Sequence, residues 1–247
     1  MTNQTLYEAI FKRKSVRKYD PAPLPDSALA EIDVIAKSGK PLIEGIGSRI
    51  FYLGPNEVSM ASVKAPHYLC LYSEKKDRYL MNAGFMLQQI DLSLSANGYG
   101  SCWIGLGKPA GSPPEANGLD YVIMLAFGKA AEPVYRANTS EFIRKSLPEI
   151  TQITGADGLL EPVRLAPSAS NTQPWFISGS ATEIVMCRKK FNPIKAAVYN
   201  KFNQIDSGIA LCHLWLAIEN KGKNAAFDFD RMSVPGGYDF MAKVSVK

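Results

Sequence analysis

Histidine and cysteine are scarce in this sequence. Its 247 residues include two histidines and four cysteines, and the cysteines stand at positions 70, 102, 187 and 212. No two of them form a Cys-x-x-Cys pair, and no cluster has the spacing of metal ligands. A chain of this length without an export signal is also not expected to depend on disulfides. We therefore expect no metal site and no disulfide, and four thiols that are mostly buried.

Long apolar runs are missing as well. No stretch approaches the roughly 18 residues that span a bilayer. Residues 1–4 lead directly into amphipathic sequence, without a signal-like apolar core. These absences predict a soluble, cytoplasmic protein that has no membrane partner.

The sequence also lacks a long basic segment. The formal net charge is +5, but the basic residues occur in small groups such as 12–14 and 188–190. A nucleic-acid interface would need a longer basic face with aromatic residues interleaved. A bound phosphate needs only a few cations, so the charge pattern favours a small phosphorylated ligand over nucleic acid.

What the sequence does contain is an internal repeat. Phe11-Lys-Arg-Lys-Ser15 recurs as Phe142-Ile-Arg-Lys-Ser146, and the same order of predicted elements follows each copy. Strand-like runs are predicted at 48–53, 68–72 and 121–127 in the first half and at 175–177, 184–187 and 240–246 in the second. A chance alignment of helical segments is the alternative explanation, and the recurrence of several elements in one order counts against it.

Two long apolar helices are the central elements of this repeat. They are predicted over residues 81–96 and about 205–219, and they align at Gly84 and Gly208. Both are apolar around much of their circumference, which indicates burial on several sides. The element order predicts an α+β fold with two degenerate halves, 1–137 and 138–247. Each half would have a mixed or antiparallel sheet and a buried central helix.

Three segments carry unusual chemistry. Residues 13–19, Arg-Lys-Ser-Val-Arg-Lys-Tyr, place four cations and a hydroxyl together, which suits a phosphate or an electron-rich ring edge. Residues 166–175, Ala-Pro-Ser-Ala-Ser-Asn-Thr-Gln-Pro-Trp, combine hydrogen-bonding side chains with two prolines that fix φ. Residues 100–107, Gly-Ser-Cys-Trp-Ile-Gly-Leu-Gly, are expected to form a loop whose glycines let the backbone approach a ligand.

Together these segments resemble the motifs of the FMN-dependent nitroreductase family. Members of that family carry each motif once per chain and form dimers, with FMN at the interface. Here the Arg-Ser and Trp-Ile-Gly motifs lie in the first half and the Pro-Ser motif lies in the second. The chain therefore resembles a fused, pseudo-dimeric branch of the family. The resemblance implies a nitroreductase-like fold, one FMN site within the chain and a monomer.

The resemblance also implies which residues bind FMN: Arg13, Lys14, Ser15, Arg17, Trp103, Ile104, Gly105, Arg136, Pro167, Ser168, Ala169, Ser170 and Asn171. Arg13, Ser15 and Arg136 are expected near the phosphate and the ribityl chain. Arg17 is expected near the flavin N1 and C2 carbonyl, where a cation stabilises reduced flavin. The backbone at Ile104 or Gly105 is expected to face N5.

The implied activity is electron transfer from NADH or NADPH, through FMN, to nitroaromatics, quinones or similar small electrophiles by a ping-pong mechanism. This chemistry requires no catalytic side chain and no metal, and His67 and His213 fit core or capping roles better than catalysis. An FMN-binding sensor or storage protein is the main alternative. A specialised flavin reaction such as reductive dehalogenation is another, and a structural protein without cofactor is a third. The absence of a Rossmann fingerprint leaves the choice between NADH and NADPH open.

Overall fold

The first half of the molecule builds one main sheet and three helices. A computed structural model describes all residues, 1–247. Its first half contains helices α1 (Asn3–Ile10), α2 (Asp26–Lys37) and α3 (Tyr79–Ala96), and strands β1 (Ser48–Leu53), β2 (Val58–Ser59), β3 (His67–Ser73), β4 (Gly100–Ile104), β5 (Lys108–Pro109) and β6 (Asp120–Gly128). Strands β1, β3 and β6 lie where the strand-like runs predict them.

The second half repeats this composition. It contains helices α4 (Leu147–Ile150), α5 (Asp157–Arg164) and α6 (Pro193–Glu219), and strands β7 (Trp175–Gly179), β8 (Glu183–Lys189), β9 (Ala225–Asp228) and β10 (Tyr238–Val246). The predicted strand runs of this half are the cores of β7, β8 and β10.

The two main sheets share one strand order. The first sheet has the order β1-β3-β6-β4 and the second has β7-β8-β10-β9, and every ladder in both is antiparallel. In each half the strand that follows the long helix pairs with the closing strand at the edge of the sheet. A separate two-stranded ribbon joins β2 and β5. The predicted α+β class with antiparallel sheets and buried central helices is confirmed. The boundary at residue 137 stays a prediction.

Helices α3 and α6 cross at the centre of the molecule. A Cβ atom on Gly84 would lie 2.1 Å from the Ile205 carbonyl oxygen, and one on Gly208 would lie 1.9 Å from the Met81 carbonyl oxygen. Each glycine therefore contacts the backbone three residues before the other glycine, a reciprocal relation of the kind that a two-fold axis generates. Only glycine permits so close an approach.

Two predicted boundaries are wrong. The segment expected to be a loop, 100–107, begins with strand β4, because Gly100 to Ile104 pair with Gly128 to Met124 of β6. Helix α6 begins at Pro193 rather than near residue 205. Asn192 caps it by accepting a hydrogen bond from the Lys195 N–H at 2.9 Å, and proline suits the first helical position.

None of the helices is both long enough and apolar enough to cross a membrane. All four cysteines are buried and unpaired.

Candidate functional site

Two adjoining cavities lie between the two halves. The first, which we call the apolar cavity, has a volume of about 330 Å³ and is lined mainly by apolar side chains, with Trp103 on one side and Phe202 on another. The second, the cationic cavity, has a volume of about 460 Å³ and no hydrophobic side chain in its wall. Ser15, Arg17 and Ser168 are among the residues that line both. The combined site is therefore elongated, with an apolar end and a cationic end.

Strand β4 positions the first-half side of this site. The Val16 N–H donates to the Ser101 carbonyl at 2.9 Å, and Ser15 and Ser101 form an isolated parallel bridge. The segment that follows α1 is thereby fixed beside β4. This pairing places Ser15 and Arg17 next to Trp103 and Gly105, which face the apolar cavity.

The cationic cavity carries excess positive charge. Its wall includes Lys14, Arg17, Arg136 and Arg144, but only one carboxylate, Glu141. None of the four cations belongs to an ion pair of the structure. Burial and neighbouring cations lower the pKa of Arg136 and of Arg144 to about 10. Because the charge is not neutralised from within, this end of the site favours an anion such as a phosphate.

The Pro-Ser loop, residues 166–175, forms the second-half side of the site. Ser170, Asn171 and Gln173 have φ angles of 49°, 55° and 47°, in the left-handed region that residues other than glycine rarely adopt. Such a cluster marks a backbone that its surroundings hold in place, and strain of this kind is often found at functional sites.

Side chains from other elements hold this loop. The Arg144 guanidinium donates to the Ala166 carbonyl at 3.0 Å and to Asn171 Oδ1 at 2.8 Å. The Lys145 ammonium donates to the Gln173 carbonyl at 2.8 Å. From α6, the Asp206 carboxyl accepts the Ala169 N–H at 3.1 Å. The cations of the second-half Arg-Lys-Ser segment thus hold the loop on one side, and Asp206 ties it to α6.

Asp206 is the buried acid of the apolar cavity. It lies in the cavity wall and has no cationic partner within ion-pair distance. Burial raises its pKa well above the ordinary value, and the hydrogen bond from Ala169 opposes this rise. Burial thus works against the charged carboxylate at this position.

Arg13 does not reach either cavity. Only 1% of its side chain is exposed, and its Nε lies 3.0 Å from Asp91 Oδ2 of helix α3. Asp91 also accepts a hydrogen bond from Ser101 Oγ at 2.6 Å, and Arg13 Nη2 donates to Ser15 Oγ at 3.1 Å. Arg13 therefore ties α1, α3 and β4 together behind the site. It supports Ser15 and does not line the cationic cavity, although the motif resemblance predicts it at the phosphate.

Most of the residues predicted to bind FMN do meet at the site. Eleven line one or both cavities: Lys14, Ser15, Arg17, Trp103, Gly105, Arg136, Pro167, Ser168, Ala169, Ser170 and Asn171. Ile104 is fully buried in the core and does not line either cavity. Both histidines are also buried and lie outside the cavity walls. FMN contact by the eleven stays a prediction.

Several residues that line the cavities were not predicted from the sequence. Arg144 lines the cationic cavity, and its repeat position was the available signal, since it corresponds to Arg13. Tyr199 and Phe202 line the apolar cavity from a part of α6 that was not predicted to be helical. Nothing in the local sequence around 198–202 indicates that it folds over a cavity between the two halves.

The residues present fit a flavin mononucleotide. The elongated shape suits a flat ring joined to a phosphate, and Gly105 leaves the backbone accessible at the apolar end. Trp103 Nε1 is buried without a hydrogen-bond partner in the wall of this cavity. An unsatisfied buried donor of this kind fits a site that has a polar ligand.

The family is shown by comparison with known proteins. The family model described as "Putative TM nitroreductase" matches residues 5–218. The chain is a member of this nitroreductase family. No curated protein matches the chain.

Several solved structures are similar to the chain, and the first of them has the same fold. A crystal structure from Thermotoga maritima, described as a putative nitroreductase, is 22% identical with a TM-score of 0.64, and the match covers 100% of this chain and 94% of that one. A nitroreductase family protein from Clostridium difficile is 17% identical, covering 59% of this chain and 94% of that one with a TM-score of 0.46. A nitroreductase from Desulfitobacterium hafniense with bound FMN is 15% identical, covering 59% and 100%, with a TM-score of 0.41.

Proposed function

We propose that this nitroreductase family member binds one FMN between its two halves. The observation that carries the proposal is the apolar cavity that opens into a cationic cavity without enough anions of its own. Lys14, Arg136 and Arg144 would hold the phosphate through charge-assisted hydrogen bonds. Trp103 and the Pro-Ser loop would enclose the ring.

The proposed reaction is reduction of nitroaromatics, quinones or similar small electrophiles at the expense of NADH or NADPH. Bound FMN supplies the redox chemistry, accepting and donating electrons in two half-reactions. Arg17 lines both cavities, so its guanidinium is placed to favour negative charge on a reduced ring. The apolar walls around Trp103 exclude water from the reacting face. No side chain needs to act as a nucleophile.

We further propose that the chain works as a monomer. In the family dimer that the motifs resemble, FMN lies between subunits. Here a single chain places both sets of motifs around one pair of cavities. The matching strand orders and the reciprocal contact of Gly84 and Gly208 support a pseudo-dimer within one chain.

The first experiment is flavin titration of the purified chain after removal of any bound flavin. We expect one FMN per chain and at least about tenfold weaker binding of riboflavin, which lacks the phosphate that the cations contact. Lys14→Gln should weaken FMN binding and leave riboflavin binding unchanged. Lys12→Gln is the matched control, since Lys12 lies over the Tyr135 ring and outside both cavities.

The second experiment measures turnover of the FMN-loaded protein. NADH and NADPH oxidation should become rapid when a quinone or a nitroaromatic is added, and light scattering should give the mass of one chain. Failure to bind FMN after reconstitution would overturn the proposal. FMN binding with no acceptor-dependent oxidation would favour a sensor or storage role instead.

A further inference from the structure

Asp206 and Asn82 occupy the same place in the two central helices. Each stands two residues before the glycine at which α3 and α6 cross. Asn82 Oδ1 accepts the N–H groups of Leu42 and Ile43 at 2.7 and 3.0 Å, just beyond α2. Asp206 accepts the N–H of Ala169 in the Pro-Ser loop at 3.1 Å. Both side chains anchor a loop on a central helix, and an amide oxygen is sufficient for that role.

The anchoring role does not explain why residue 206 is an acid. Both carboxyl oxygens lie near the same Ala169 N–H, at 3.1 and 3.2 Å, and no side chain donates a hydrogen bond to either oxygen. Asp206 is only 3% exposed, in the wall of the apolar cavity. A carboxylate buried in this way normally has a cation or several donors. The acid therefore requires an explanation in the chemistry of the cavity.

No other titratable side chain of the cavity wall contacts the Asp206 carboxyl. These residues are Arg17, Cys102 and Tyr199, and the Pro-Ser loop contributes none. Tyr199 donates to Ser170 instead, and Arg17 belongs to no ion pair. Asp206 thus faces the cavity without a charged partner in its wall.

The elements packed against α6 supply no partner either. Their buried or half-buried charges pair with one another or with a neighbouring strand, in the pairs Arg13–Asp91, Glu161–Arg164 and Arg188–Asp239. Their remaining charged side chains are exposed, namely Glu8, Asp157, Glu183, Lys189 and Asp228. Burial raises the pKa of Asp206 well above its ordinary value, and the Ala169 hydrogen bond opposes this rise. The protonation of Asp206 therefore responds to whatever charge enters the cavity.

Reduction of a bound flavin would bring such a charge. The inference rests on the proposed function, in which the ring lies in the apolar cavity and Arg17 favours its negative charge. A hydride from NADH or NADPH delivers two electrons and one proton, and so adds one negative charge to the ring. An ionised carboxyl in the same cavity would repel that charge, because like charges that share a buried site cannot both ionise freely. Uptake of one proton by the carboxyl removes the repulsion.

We propose that Asp206 takes up one proton from solvent each time the flavin ring is reduced and releases it when the ring is reoxidised. The proton binds one Oδ atom of the carboxyl. With the hydride, the site then gains two electrons and two protons, and its net charge does not change. On reoxidation the acceptor takes two electrons and two protons, as a quinone does in becoming a hydroquinone, and the Asp206 carboxylate is restored.

The test is the midpoint potential of the FMN-loaded chain between pH 7 and 9. Each proton that accompanies two electrons changes the reduction equilibrium tenfold per pH unit, which is about 30 mV. The wild type should show a pH range with the slope of two protons. Asp206→Asn should show the slope of one proton throughout, because an amide does not take up the second.

Two further variants separate the proton from the loop. Asp206→Asn places the residue of the first half in the second and keeps an oxygen for the Ala169 N–H. Asp206→Ala should have the same slope of one proton, but it should weaken FMN binding further, since that N–H then loses its acceptor. Asp157→Asn is the matched control, because Asp157 is exposed on α5 and lies outside both cavities. It should keep the slope of the wild type.

Infrared difference spectra of the reduced against the oxidised protein detect the proton directly. Reduction should produce the carbonyl band of a protonated carboxyl in the wild type and in Asp157→Asn. The band should be absent from Asp206→Asn.

The outcomes separate this inference from the proposed function. Equal slopes in the wild type and Asp206→Asn from pH 7 to 9, with FMN bound, would overturn the role of Asp206 alone. A wild-type chain that gains no carboxylic acid band on reduction would also overturn it, even if Asp206→Asn did not fold. A wild-type chain that binds no FMN would overturn the proposed function and this inference with it.

Discussion

The region around Trp103 borders an open cavity, whereas its counterpart in the other half is filled by aromatic side chains. Phe227 and Phe229 stand as far beyond Gly208 as Trp103 and Gly105 stand beyond Gly84. Around Gly105 a cavity is open, whereas Phe229 stacks on Phe227 with ring centroids 6.4 Å apart. One half keeps a glycine where a ligand can approach, and the other places a phenyl ring there.

An aromatic cluster, Phe85, Trp215, Phe227 and Phe229, occupies the second region. Phe85 contacts Trp215 and Phe227 at centroid distances of 5.4 and 6.0 Å. Arg78 lies over the Phe229 ring and Lys40 over the Trp215 ring. Lys40 belongs to residues 37–41, which stand at the end of α2 as the Pro-Ser loop stands after α5. Side chains of the protein therefore take the place that a ligand would take in the other half.

The two arginines of the repeat, Arg13 and Arg144, also differ in role between the halves. Arg13 is buried against Asp91, while Arg144 holds the Pro-Ser loop and lines the cationic cavity. Trp215 stands at the position in α6 that corresponds to Asp91 in α3, so Arg144 has no carboxylate at the position that pairs with Arg13 in the first half. One change in the central helix thus leaves a cation free for the site.

The largest expected effect comes from breaking the pair that only the first half has. Asp91→Asn would leave the Arg13 charge buried without a partner, which costs about 3–5 kcal/mol of unfolding free energy. Urea unfolding measures the change, with Asp33→Asn as the control, because the Asp33–Lys37 pair is exposed and should contribute little. A loss no larger than that of the control would contradict the structural role assigned to Arg13.

The next prediction concerns the crossing that both halves share. Gly208→Ala would force α3 and α6 apart, because the new Cβ would overlap the Met81 carbonyl, and we expect a loss of about 3 kcal/mol. Gly111→Ala, at an open position, should have little effect. Equal stability of the two variants, measured by urea unfolding, would show that the helices do not cross as closely as described.

The third prediction removes a ring from the aromatic cluster, and so tests whether the cluster closes the second region. Phe227→Ala should lower the unfolding free energy by about 2 kcal/mol, less than for a fully buried phenylalanine. FMN stoichiometry should stay at one. The second region also lacks an equivalent of Arg17, since Leu147-Pro148 follow Ser146. A second equivalent of bound FMN would mean that the aromatic cluster alone keeps that region closed.

The smallest expected change in unfolding free energy concerns His213, whose counterpart in α3 is Gln89. His213 is fully buried beside the Pro162 carbonyl and Gln88. Burial lowers its pKa to about 3, the Pro162 hydrogen bond opposes this, and Arg13 and Arg144 lower it further. Because the unfolded state takes up a proton near pH 6.5 and the folded state does not, this contribution to stability is complete above pH 6.5 and is lost as the pH falls towards 3.

His213→Gln places the residue type of the first half in the second and removes this titration. Between pH 7 and 5.5 the wild type should lose about 1 kcal/mol more than the variant in urea unfolding. Parallel loss in both proteins would show that other groups cause the acid sensitivity.

Much of the fold could be predicted because its signals are local. Alternating strands, two long apolar helices and the aligned Gly84 and Gly208 identify the α+β class, which is confirmed. The start of α6 was missed, since residues 193–202 are exposed on most sides and have no core-facing periodicity. Strand β4 was predicted as part of a loop because the glycines of 100–107 suggested close approach of the backbone to a ligand, while pairing with β6 fixes Gly100 to Ile104 in an edge strand.

By itself the sequence determined the two-fold repetition of elements, the presence of a Pro-Ser loop and a basic segment, and membership in the nitroreductase family. Only the tertiary structure decided which cations face the cavities. Arg13 and Arg144 occupy equivalent places in the sequence repeat, yet the Asp91 carboxylate buries one, and Trp215 at the equivalent position provides no anion for the other. A buried charge needs a partner, and partners are brought together by contacts between residues distant in the chain.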